Sequence, residues 1–114
     1  MREEPYMADI IAEHGLRVVM GKGGMGASTR DACRIYGCVY IQAVGGAAAV
    51  IAQGIKKVRN VYLLDELGPT EAIWELEIDG IDGIVGMDSY GRSIYEDIAR
   101  QSAENIKNLT QKSL

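Results

Sequence analysis

The residues whose types and spacing best suit ligand binding lie at positions 21–29, where the sequence reads Gly-Lys-Gly-Gly-Met-Gly-Ala-Ser-Thr. A short apolar run precedes this glycine loop and a helical pattern follows it. Backbone N–H groups in such a loop, together with the start of the following helix, can bind an anion. A flexible cation such as Lys22 beside them would hold a carboxylate well. The loop is therefore the candidate anion-binding site of this chain.

Two nucleotide-binding interpretations of the loop each lack a necessary residue. Gly21, Gly23 and Gly26 fit the G-x-G-x-x-G pattern, but dinucleotide binding also needs an acidic residue at the end of the next strand. The sequence there, at positions 42–45, is Gln-Ala-Val-Gly. The loop is also similar to the phosphate-binding loop of partition-type ATPases, yet Ala27 stands where the lysine should be. Without that cation the γ-phosphate charge is poorly compensated, so both interpretations are disfavoured.

Composition limits the classes of partner. The chain has 114 residues, enough for one domain, and a net charge of −4 with no basic block, which disfavours nucleic-acid binding. Its longest apolar stretch, residues 43–52, is about half the length that a membrane-spanning helix needs. The acidic start of the chain is unlike a secretory signal. Cys33 and Cys38 match no metal-binding or redox spacing and are predicted to be reduced, buried thiols of a cytoplasmic protein.

Strand and helix patterns alternate along the chain and place the glycine loop between a strand and a helix. Strands are predicted at residues 17–20, 38–42, 61–64, 74–78 and 84–87. Helices are predicted from Pro5 to a stop at Gly15, from Ser28 to a stop at Gly37, at residues 47–53, and from Ser93 onward, with a short helical turn after residues 67–69. The helix at 47–53 is apolar on nearly every side and is predicted to be buried. This alternation predicts an α/β domain over residues 1–100, followed by a frayed, polar helical tail at 101–114.

Several short motifs occur in a specific order along the chain. They read G-K-G at 21–23, D-A-C at 31–33, G-C-V-Y at 37–40, V-G-G-A-A-A at 44–49, E-L-G at 66–68, E-A-I-W at 71–74 and D-S-Y-G at 88–91. Together they resemble the carboxy-terminal (β) domain of class I iron–sulfur fumarases and the β subunit of L(+)-tartrate dehydratase. The resemblance runs from Arg2 to about Ile98. It implies a swivelling β/β/α-type domain, with a mixed sheet and flanking helices, present here as a partial copy.

The resemblance also implies an activity and a partner. The family's enzymes are hydro-lyases, which add or remove water on a small dicarboxylate such as fumarate, malate, tartrate or oxaloacetate. A [4Fe-4S] cluster, carried by an α domain or α subunit, acts there as a Lewis acid on the substrate hydroxyl. Two cysteines cannot hold such a cluster, which needs three or four thiolates, so this chain is expected to bind none by itself. The implied partner is a cluster-bearing α subunit.

The resemblance assigns three residues to substrate binding. Lys22 corresponds to the family's catalytic lysine, which contacts a substrate carboxylate, and Gly23 lies beside it in the same loop. A second family cation belongs to a Thr-x-x-x-Arg motif twenty residues before that lysine, and Arg2 has this spacing. The threonine of the motif, which takes part in proton transfer in the family, would fall before residue 1. The surface alternative, in which Lys22 is only a solvated side chain, remains open.

Two functions from different classes fit these observations. The first is a cytoplasmic hydro-lyase subunit that is inactive alone and supplies carboxylate-binding cations to its α partner. The alternative is a non-catalytic folded remnant that acts as an interaction module. In either case the partial domain is expected to expose apolar surface that a complete one would bury, which predicts self-association into a homo-oligomer. The sequence does not decide between fumarate and tartrate.

Overall fold

The computed structural model describes residues 2–43 and 48–112. The elements in chain order are α1 (Glu4–His14), β1 (Val18–Gly21), α2 (Ala27–Tyr36), β2 (Val39–Ala43), α3 (Ala48–Gln53), β3 (Ile55–Tyr62), α4 (Leu64–Leu67), β4 (Ile73–Ile78), β5 (Gly83–Met87) and α5 (Ile94–Lys112). They divide into two compact units, residues 1–43 with 83–114 and residues 44–82. The glycine pair at 45–46 and the start of the helix predicted at 47 lie outside the described residues.

The first unit contains a three-stranded mixed sheet in the order β1-β2-β5. β1 and β2 run parallel, with Val18 opposite Val39, and are connected through α2 as a crossover helix. β5 pairs with β2 in the antiparallel direction, and the register shifts at Tyr40/Ile41. The structure therefore confirms the predicted α/β class, with a mixed sheet and flanking helices.

Two glycines end the helices that flank the candidate loop. Gly15 and Gly37 adopt left-handed conformations, with φ of 61° and 69°, and their N–H groups bond to the carbonyls of Ile11 and Cys33. A residue without a Cβ adopts this conformation at no steric cost, which makes glycine the usual stop at this position. Both helix ends were predicted from sequence and are confirmed.

The core of the first unit lies between helices α1 and α2 and one face of the sheet. Its buried apolar residues are Ile11, Met25, Ala32, Cys33, Cys38, Tyr40 and Met87. Residues paired directly across two adjacent strands point to the same face of the sheet. The pairs Val18–Val39, Met20–Ile41 and Ile41–Val85 define the face opposite the core. On that face Val18, Met20 and Val85 are 56%, 39% and 50% exposed. Among the described residues, this face of the sheet therefore carries exposed apolar side chains.

The second unit is built on an antiparallel pair, β3 and β4. Glu75 on β4 accepts hydrogen bonds from Asn60 at 3.1 Å and from Tyr62 at 2.9 Å, and these bonds lower the pKa of its carboxyl group. Arg59 and Glu77 form an ion pair at 2.7 Å across the same two strands. Polar cross-strand pairs therefore contribute to this hairpin, alongside the backbone ladder.

Three details of the sequence prediction were wrong in this second unit. β3 begins at Ile55 and not at residue 61. Its start was missed because residues 55–60 include two Lys, one Arg and one Asn and have no strand-like apolar alternation. The helical turn α4 precedes Gly68, whereas it was predicted to follow that glycine. The helix predicted at 47–53 to be buried is exposed at Val50 and Ala52, since its contacts are mainly with the neighbouring β3.

Helix α5 is the longest element, at 19 residues. Its positions from Ala99 to Gln111 are all exposed, and most of them are polar, with Ile106 and Leu109 as the large apolar exceptions. Within the described part of the chain, no helix combines the length and the apolar character needed to cross a membrane.

Candidate anion-binding site

A cavity of about 380 Å³ opens beside the edge strand β1 in the first unit. Its lining comes from the start of α1, from β1, from the loop that follows it and from β2. The residues concerned are Arg2, Glu3, Met7, Val19, Met20, Gly21, Lys22, Met25 and Tyr40. The volume is at the small end of the range for ligand-binding pockets and suits a compact molecule.

The two cations predicted to bind a carboxylate, Arg2 and Lys22, line this one cavity. They are separated by twenty positions in sequence, and the start of α1 beside β1 brings them together. Met7 and Met25 add apolar wall, while Glu3 contributes one acidic group. A cavity lined by two cations, one acidic group and apolar side chains can hold a small organic anion.

The start of α2 is already occupied by a carboxylate of the chain itself. Glu4 Oε2 accepts hydrogen bonds from the Gly26 N–H at 2.7 Å and the Thr29 hydroxyl at 2.6 Å. Glu4 Oε1 accepts from the Ser28 N–H at 3.1 Å, the Ser28 hydroxyl at 2.7 Å and the Thr29 N–H at 3.2 Å. The helix-start N–H groups, expected to help hold an external carboxylate, bind Glu4 instead. That expectation was wrong.

The acidity of Glu4 reflects this environment. Partial burial acts to raise the pKa of its carboxyl group, but hydrogen bonds from Thr29, Ser28 and the Gly26 backbone outweigh it. The result is a pKa lowered from 4.5 to about 2. Donors that bind only the ionised form stabilise it, so Glu4 is a carboxylate at any physiological pH. Sequence reasoning missed Glu4, because a contact over 22–25 positions leaves no local pattern.

Gly23 is held through its carbonyl oxygen. The Tyr40 hydroxyl donates to it at 3.0 Å, and the Tyr95 hydroxyl lies 3.3 Å from it and 2.9 Å from Gln42 Oε1. Gly23 has a φ of 75°, a conformation that suits glycine. Since its carbonyl is engaged, Gly23 can offer a ligand only its N–H group, as an anion would require.

The two tyrosines form one cluster beneath the loop. Their rings meet edge to face, with centroids 6.3 Å apart and planes at 65°. Burial, and then the negative charge of Glu3, raises the pKa of Tyr40, so its hydroxyl keeps the proton that it donates. Tyr95 packs so closely on Gly24 that a Cβ atom there would lie 2.8 Å from the ring carbon Cδ1. The loop conformation thus depends on side chains from β2 and α5.

Comparison with known proteins identifies the family. Residues 1–98 match the family model described as Fumarase C-terminus. The chain belongs to this family. It is 45% identical over 97% of its length to a Geobacillus stearothermophilus protein named as a class I fumarate hydratase. It is 45% identical over 82% of its length to a Methanocaldococcus jannaschii protein named as an L(+)-tartrate dehydratase subunit beta. The aerobic class I fumarate hydratase of Escherichia coli is 32% identical over 85% of the chain.

This Fumarase C-terminus domain is shorter than those relatives. The matches cover 21% of the Geobacillus protein, 49% of the Methanocaldococcus protein and 18% of the Escherichia coli enzyme. The relatives support the lyase family that the motifs predicted. Two of the matching proteins, those of Methanocaldococcus jannaschii and Escherichia coli, are named as beta subunits of L(+)-tartrate dehydratase.

The residues of this domain do not fit an iron–sulfur cluster. The chain has two cysteines, and both Cys33 and Cys38 are fully buried free thiols. Burial, followed by the proximity of Cys38, raises the pKa of Cys33 to about 12, so it stays protonated and is a poor metal ligand. Across residues 2–43 and 48–112 there is no group of three His, Cys, Asp or Glu side chains arranged to hold a metal ion. A cluster of the type implied by the motifs would need ligands from outside these residues.

Proposed function

We propose that this chain is the carboxylate-binding part of a cytoplasmic hydro-lyase that acts on a small dicarboxylate, either fumarate/malate or tartrate/oxaloacetate. In this proposal Arg2 and Lys22 bind one substrate carboxylate. The observation that carries it is their position on the wall of a single cavity although twenty residues separate them. Membership of the Fumarase C-terminus family supports the reaction class.

The cations contribute most where charge develops during the reaction. Adding water to, or removing it from, carbons next to a carboxylate passes through a state in which negative charge spreads onto that carboxylate. Lys22 and Arg2, held beside it, would stabilise this charge more than they stabilise the ground state. Lys22 therefore has both a binding and a catalytic role, while Arg2 and the N–H of Gly23 orient the same group.

The proposal includes an α subunit as the source of the remaining chemistry. The motif resemblance assigns a [4Fe-4S] cluster to that partner, and this chain contributes charge and shape only. A cytoplasmic location is supported by the two free, buried thiols, since paired cysteines are the rule in oxidising compartments. The exposed apolar sheet face at Val18 and Val85 is also what the second candidate requires, an interaction module without catalytic residues, so an activity measurement must separate the two functions.

Anaerobic co-expression with a candidate α subunit tests the choice between these functions. The purified complex is assayed for hydration of fumarate and dehydration of malate and tartrate, beside each chain alone. The hydro-lyase proposal predicts turnover by the complex and none by this chain alone. A stable complex without turnover on any of these dicarboxylates would favour the interaction module.

A further inference from the structure

The N-terminus of α2 has no cap from its own neighbourhood. Its N-cap residue is Gly26, which has no side chain to bond the first N–H groups. Helix-start N–H groups need acceptors, and these are normally supplied by a side chain just before the helix. Here the acceptor is Glu4, which lies 22 residues before Gly26 and belongs to α1. A carboxylate from another helix thus occupies a position typical of a bound anion.

We propose that Glu4 is a positioning residue that fixes α1 against the start of α2 and thereby holds Arg2 opposite Lys22. This inference rests on the proposed carboxylate site. Glu4 is two positions after Arg2, a stretch of chain that spans at most about 7 Å. At the other end of the contact, Gly26 is four positions after Lys22. One carboxylate therefore links the two short segments that carry the cations.

The absence of a side chain at Gly26 makes room for the Glu4 carboxylate. The Gly26 φ of −97° and ψ of −166° are open to any residue, so backbone conformation does not explain a glycine here. A Cβ atom on Gly26 would lie 2.7 Å from Glu4 Oε1 and 2.9 Å from Glu4 Cδ. The small residue is what lets the carboxylate approach. Gly26→Ala therefore crowds the same contact from the opposite side, without altering Glu4.

The number of donors shows how firmly Glu4 is held. Five hydrogen bonds, from three backbone N–H groups and two hydroxyls, converge on its two oxygens. Bonds to an ionised acceptor are stronger than neutral ones, and the positive end of α2 adds to them. Removing the carboxylate leaves a vacant cradle shaped for one, which a small carboxylate ion such as formate can enter.

The experiment measures the affinity of the 114-residue chain for fumarate and L-tartrate by isothermal titration calorimetry, with and without sodium formate. The variants are Glu4→Ala, Glu4→Gln and Gly26→Ala. Glu13→Ala, an exposed glutamate on the same helix, is the matched control. Circular dichroism establishes that each variant is folded before its affinity is compared.

We expect Glu4→Ala and Gly26→Ala to weaken dicarboxylate binding about tenfold or more, because one of two cations loses its position. Formate should recover part of that loss in Glu4→Ala and compete weakly in the wild type. Glu4→Gln, which keeps one acceptor oxygen, should lie between the wild type and Glu4→Ala. Glu13→Ala should bind like the wild type.

Two results would overturn the inference, and they differ. In the first, the folded Glu4→Ala chain binds dicarboxylates as tightly as the wild type, even if it melts at a lower temperature. Glu4 would then be a structural cap only. Wild-type chain that binds neither dicarboxylate would remove the proposed site itself, and the positioning role with it. If Glu4→Ala fails to fold, Glu4→Gln and Gly26→Ala decide by the same comparison.

Discussion

The Tyr40 hydroxyl oxygen lies 3.0 Å from the carbonyl oxygen of Gly23, the residue directly after Lys22. Tyr40 is 2% exposed and lines the cavity that Lys22 also lines. The bond therefore ties the loop to the centre of the sheet, on its core face. A lysine on an otherwise flexible glycine loop gains a defined position from this contact, at a lower cost in conformational entropy on ligand binding.

Replacing Tyr40 by Phe tests this contact, because it removes the hydroxyl and keeps the ring. We expect the free energy of unfolding to fall by about 1 kcal/mol, since one acceptor loses its closest donor in a buried setting. Urea denaturation followed by circular dichroism measures the change. Tyr90→Phe is the control, as Tyr90 is 78% exposed and should change stability by less than about 0.5 kcal/mol. Equal effects of the two substitutions would argue against the contact.

The depressed pKa of Glu4 predicts a specific acid sensitivity. Its carboxyl group has a pKa of about 2 in the folded chain and an ordinary value of 4.5, so ionisation favours the folded state. This contribution of Glu4 to the free energy of unfolding is therefore fully present above about pH 4.5 and is lost as the pH falls toward 2. Because Glu4 is partly exposed, we expect about 1–2 kcal/mol after allowance for solvent screening.

Urea unfolding of the wild type and Glu4→Gln between pH 2.5 and 7 measures this loss. The stability difference between the two chains should be constant above pH 5 and should shrink below pH 4.5. A difference that stays the same across the whole range would show that the titration of Glu4 is not linked to folding.

The exposed sheet face in the first unit predicts self-association. Val18, Met20 and Val85 lie on the same face of the sheet and are 56%, 39% and 50% exposed, and apolar patches of more than a few hundred Å² are uncommon on soluble monomers. Light scattering over a concentration series should give a mass above that of one chain. Val85→Lys should lower this mass, whereas Ile35→Lys, at an exposed position on α2, should not. A strictly monomeric wild type at high micromolar concentration would contradict the prediction.

Local signals predicted the elements around the site, while long-range contacts set the site itself. Gly15 and Gly37 predicted two helix ends, and the apolar run before Lys22 predicted β1. The spacing between Arg2 and Lys22 suggested a shared site only through a family resemblance. Nothing in sequence pointed to Glu4, because its partners at 26–29 become neighbours only when α1 packs on α2. The start of β3 was missed for a related reason, since its polar residues are stabilised by β4.

The most direct test of the central claim measures kcat/KM for fumarate and tartrate in the assembled enzyme that carries Lys22→Ala. Loss of a charge-assisted contact of about 3 kcal/mol should lower kcat/KM by about 10²-fold or more. Lys107→Ala, on the exposed part of α5, is the control and should leave kinetics unchanged. Normal urea denaturation of the Lys22→Ala chain would show that the loss is not due to unfolding. A Lys22→Ala enzyme with wild-type kinetics would contradict the account and make Lys22 an ordinary surface lysine.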